Sequence, residues 1–82
     1  MTALDRMLNA DWREVRRLCP QWSKWTARRF CGAVRLMRNH GWESHCMRDT
    51  IERYRTPDGD VRVVELLDYV TTTVFFQTHP FA

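Results

Sequence analysis

Four side chains that suit zinc, Cys31, His40, His45 and Cys46, fall within sixteen residues of one another. Thiolate and imidazole are the ligands that a tetrahedral zinc site uses. The spacing is poor for it. No CxxC or HxxxH pair anchors the set, Cys31 falls inside a helical pattern, and His40 lies more than two turns further along. These residues read instead as small buried thiols and as histidines that cap a helix or face solvent, so no metal is expected.

Nucleophilic chemistry is equally hard to assemble. On a helical wheel Cys31 lies between Arg28 and Arg35, two cations that would favour a thiolate. A nucleophilic cysteine also needs a general base, and His40 is too far along the same helix to act as one. Cys31 therefore reads as a tolerated thiol at a helix edge. The run His40-Gly41-Trp42-Glu43-Ser44-His45 holds His, Glu and Ser in close order, but a triad is a spatial arrangement and not a sequential one. Pro57-Asp58 with Glu65 has the look of a nuclease acid pair, yet the assisting lysine position is Leu67, and Pro57, Asp58 and Gly59 are explained by a turn. Three glycines supply no phosphate-cradling loop. The sequence predicts no catalysis and no cofactor.

What remains is a surface rich in Arg and Trp. Twelve of the thirteen basic residues are Arg, and four Trp occur in 82 residues. Arg offers a planar fork that binds carboxylate or phosphate and stacks on aromatic rings. Trp and Arg are the types enriched at binding hot spots. Lys24, Arg28, Arg35 and Arg38 lie within about 80° of one another on a helical wheel, and Arg13 and Arg17 from the preceding segment join them. Trp12 and Trp22 point inward on their wheels and read as core. Trp25 falls off the main apolar arc and Trp42 follows Gly41, so these two complete the expected partner-binding face.

Helices are needed to position that face. Leu4, Met7, Leu8, Trp12, Val15 and Leu18 recur at three and four residues, which predicts one helix over Thr2 to Cys19 with Thr2 as N-cap and Asp5 three residues on. Pro20 suits the first turn of a second helix from about Gln21 to His40, ended by Gly41. Beyond it, Thr56-Pro57-Asp58-Gly59 predicts a tight turn between strands Ile51–Arg55 and Val61–Leu66, and the β-branched and aromatic stretch Tyr69–Thr78 predicts a third strand. Val63, Leu66, Leu67, Val70 and Val74 also fit a helical stripe. The expected fold is α+β, an N-terminal helical hairpin on a small antiparallel sheet, with a mostly helical bundle as its competitor. All 82 residues form one domain.

Charge is lopsided. Residues 1–48 carry ten Lys and Arg against four acids, a net +6, whereas residues 49–82 carry three Arg against six acids, a net −3. No apolar run approaches the roughly 18 residues that span a bilayer, the first residues lack the pattern of a signal peptide, and three cysteines are an odd number for a disulfide framework. A cytoplasmic location without membrane contact is expected. The leading functional expectation is a small inhibitor or regulator, of the size common among phage and mobile-element proteins, that docks its Arg/Trp face on a host protein assembly. The alternative is a DNA- or RNA-binding regulator using the same basic helix. Homodimerisation through an apolar C-terminal edge strand containing Val70, Val74, Phe75, Phe76 and Phe81 is a further expectation.

Overall fold

The computed structural model describes residues 2–81. Five helices follow one another: α1 (Ala3–Leu8), α2 (Trp12–Leu18), α3 (Lys24–Asn39), α4 (Ser44–Arg53) and α5 (Val63–Thr78). Among the described residues there is no strand, and the expected α+β fold with an antiparallel sheet is wrong. The structure is a helical bundle in which α3 packs along α5, α2 packs on α3, and α1 lies against α2 and α4.

The single helix expected over Thr2 to Cys19 is two. Thr2 and Asp5 form a reciprocal capping box at the start of α1. The chain then leaves the helix at Asn9, whose side-chain amide donates to the Asp5 carbonyl at 3.2 Å, and re-enters it after Asp11. The Asp11 carboxylate accepts the Glu14 backbone N–H at 2.9 Å. Asn and Asp offer the backbone local acceptors and donors that compete with helix continuation, so two of them a residue apart break a stripe that periodicity alone would continue.

Helix α3 begins at Lys24, not at Gln21, because Ser23 caps it, accepting the Thr26 N–H at 3.1 Å. Pro20 and Gln21 lie in the preceding turn. The C-terminus of α3 closes with Gly41 at φ +82°. The Gly41 N–H donates to the Arg38 carbonyl at 3.1 Å and the Trp42 N–H to the Met37 carbonyl at 3.0 Å, the paired bonds of a Schellman motif.

The second half departs furthest from expectation. The turn at Thr56–Gly59 is present, with the Gly59 N–H on the Thr56 carbonyl at 2.9 Å and Gly59 at φ +89°. Its flanks pair only through one isolated antiparallel bridge, Arg55 with Val61. Both neighbours are helical. In α5 Val63, Leu66, Val70 and Val74 are buried together, and burying each such side chain is worth about 1.5–3 kcal/mol. Three adjacent Thr cost a helix only about 0.5 kcal/mol each. The burial term wins, and the strand expected over Tyr69–Thr78 is a helix. The edge strand proposed for pairing two copies is therefore absent.

One buried cluster unites these elements. Phe30, Met37, Met47, Ile51, Leu66, Val15 and Val70 are its largest fully enclosed side chains. Thr50, the one buried polar residue among those described, donates its hydroxyl to the Cys46 carbonyl at 2.8 Å.

Candidate functional site

Helix α3 carries five cations, Lys24, Arg28, Arg29, Arg35 and Arg38, and no acid. Ala27, Phe30, Ala33, Val34 and Met37 take its inner face, so the cations are left outside. Among the described residues none of the five has a carboxylate oxygen within salt-bridge distance. At about 1.5 Å rise per residue, Lys24 to Arg38 spans about 21 Å.

An aromatic platform organises the first turns of that row. The Trp12 ring lies under the Arg13 guanidinium at 4.7 Å, the Arg28 guanidinium at 4.9 Å and the Lys24 ammonium at 5.6 Å. Lys24 and Arg28 also stand 5.5 and 5.6 Å from the ring of Trp25, which is 60% exposed. Two indoles and three cations thus interleave across the α2–α3 boundary. Each such contact is worth about 0.5–1 kcal/mol at an exposed site. The larger effect is to hold long side chains in few rotamers, which lowers the entropy lost when a partner binds.

Further along α3 the face opens into a cleft of about 440 Å³. One wall is the α1–α2 connection, with Leu8, Ala10, Asp11 and Trp12. The other is α3, with Arg28, Cys31, Gly32, Val34, Arg35 and Arg38. Arg38 donates to the Leu8 carbonyl at 2.6 Å, which satisfies an orphan acceptor of α1 and fastens that wall to α3.

The expected face is therefore gathered in part. Arg13, Lys24, Trp25 and Arg28 form the platform, and Arg35 and Arg38 line the cleft beside it. Arg17 does not join them. It pairs with Glu14 on its own helix at 3.2 Å. Trp42 lies past the opposite end of α3, where its indole N–H donates to the Gln77 side chain at 3.0 Å and its ring lines a second cleft of about 750 Å³ with Phe76. Trp12, expected as core, is half-buried and central to the site. Its role follows from the docking of α2 on α3, which no local pattern reports.

The thiols are placed by burial. Burial pushes the Cys31 thiol up from its ordinary value and the nearby Asp11 adds to the effect, while Arg35 opposes it. The thiolate-favouring effect expected from the flanking cations is present for Arg35 but is outweighed by burial. Cys31 contacts the Ala10 carbonyl at 3.8 Å, and His40 Nδ1 lies 2.9 Å from the Leu36 carbonyl. Cys46 and His45 touch each other at 3.4 Å on the exposed side of α4. Among the described residues no group of three or more His, Cys, Asp or Glu is placed to hold a metal ion, and no helix is long and apolar enough to cross a membrane.

Comparison with protein-family models, with curated proteins and with solved structures finds no match for this chain.

Proposed function

We propose that this is a non-enzymatic binding protein that docks the outer face of α3 on an acidic surface of a partner protein in the cytoplasm, as an inhibitor or regulator of the assembly that the partner belongs to. The observation that carries this reading is the row of α3 cations without carboxylate partners beside the exposed ring of Trp25. Cations free of internal ion pairs need break none when they meet an external anion. An exposed indole among them supplies the desolvated anchor that hot spots require.

The test has two stages. Tagged protein is used to recover partners from host lysate with and without nuclease, and the purified partner is then titrated with variants. Binding should weaken at least tenfold in both Trp25→Ala and the Arg28→Ala/Arg35→Ala double variant, with added salt slowing association more than it speeds dissociation. A partner bound equally by all three proteins would sink the reading.

The order α2, turn, α3 favours a second reading. A helix–turn–helix unit presents the first turns of its second helix to a DNA groove, and Lys24, Trp25 and Arg28 occupy those turns here. A nucleic-acid binder would lose affinity log-linearly with salt, and each phosphate-contacting Arg removed would lower the slope by about one. Recovery that vanishes with nuclease would select this alternative.

A further inference from the structure

We infer that the cleft beside the aromatic platform is a receptor for one side-chain carboxylate, an Asp or Glu on an exposed segment of the partner. This rests on the docking reading of the same face and adds to it a defined pocket and ligand. Three arginines, Arg28, Arg35 and Arg38, line a space in which Asp11 is the one acidic lining residue. Asp11 is engaged at the amino end of α2, accepting the Glu14 N–H at 2.9 Å. Arg38 has one donor committed to Leu8, and among the described residues Arg28 is held through its contacts with the Trp12 and Trp25 rings. Donors in a fixed fork remain for an incoming anion.

Gly32 lines the same space. It lies on α3 between Arg28 and Arg35, and a Cβ built on it meets nothing within 4 Å, so the cleft is open there and a large side chain at this position would project into it. The Trp12 ring and Leu8 offer apolar wall for the one or two methylenes of an acidic side chain.

The experiment uses the full chain and a short peptide of alternating glycine and glutamate, with the glutamine version, inorganic phosphate and a short single-stranded DNA as competitors, read by titration with amide and indole NMR. The glutamate peptide should shift the Gly32 amide and the Trp12 indole, and the glutamine peptide should not. Gly32→Leu projects into the cleft without altering charge and should weaken the peptide at least tenfold. Arg35→Gln, at an exposed position, should do the same and serves if Gly32→Leu does not fold. Asp11→Asn keeps an N-cap of equal quality and should bind the peptide two- to fourfold tighter. If Gly32→Leu binds as wild type while Arg28→Ala/Arg35→Ala does not, the face docks but the cleft is not the receptor, and this inference falls alone. If phosphate or DNA binds tenfold tighter than the peptide, or if no probe moves the Gly32 amide, the carboxylate receptor is overturned whatever the face binds.

Discussion

The indole N–H of Trp22 donates to the carboxylate of Asp60 at 2.7 Å, joining the connection before α3 to the connection before α5. The two residues lie 38 positions apart, and both ends are built for the bond. Trp22 is buried, with its ring 5.4 Å from that of Phe30. Asp60 is fixed by its own backbone, since its N–H donates to the Thr56 hydroxyl at 3.0 Å and its carbonyl accepts the Thr56 N–H at 2.8 Å. The Pro57–Gly59 turn therefore matters less as a hairpin than as a mount for this acceptor.

Asp60→Ala should cost about 1–3 kcal/mol, because it leaves a buried donor without a partner. For a chain of this size each kcal/mol lowers Tm by about 4–8 °C. Asp60→Asn retains an acceptor and should lose less. Thermal unfolding followed by circular dichroism ranks the variants, and an alanine variant as stable as wild type would remove the bond from the account of stability.

Thr71 and Thr72 face solvent in α5. In a helix each Thr→Ala change should stabilise by about 0.5 kcal/mol, whereas in a strand the same change should destabilise. The double variant should unfold at higher denaturant concentration with an unchanged slope.

The cysteines should separate by reactivity. Cys46 is exposed, while burial pushes the Cys19 and Cys31 thiols up from their ordinary value. A disulfide reagent at about pH 8 should label Cys46 first and the partly buried Cys19 and Cys31 more slowly. For Cys19 and Cys31, both partly buried, the folded-state value is the higher one. Their contribution to stability is present below the unfolded thiol's range, near 8.5, and is lost as pH rises through the folded value. Three thiols titrating together would contradict the burial.

Asp5 links α1 to α4 through Arg48 at 3.0 Å. That hydrogen bond holds the Asp5 carboxyl below its usual range, with Thr2 contributing. A depressed folded value gives stability that is present above the unfolded value, near 3.9, and is lost as pH falls through the folded one. Arg48→Gln should lower stability by a constant amount above about pH 4 and flatten the fall below it, so that the two stability curves converge in acid. Because Asp5 and Arg48 are both partly exposed, added salt should diminish the difference.

The sequence by itself determined the features that arise from a residue and its close neighbours. The Thr2–Asp5 capping box, the left-handed Gly41 behind α3, the turn at Gly59 and the basic outer face of α3 are all local consequences of side-chain hydrogen bonding, glycine geometry and helical periodicity. Tertiary structure decided the rest. For Tyr69–Thr78 local preference and burial pointed in different directions, and only the presence of α3 as a surface to bury Val70 and Val74 made the helix the lower state. The site followed the same division. Lys24, Arg28, Arg35 and Arg38 could be read as one row, but Trp12 as their platform, Gly32 as a cleft lining and Asp11 as the opposing charge depend on the packing of α2 on α3. The distances that matter there are between residues far apart in the chain, and a period of 3.6 carries no information about them.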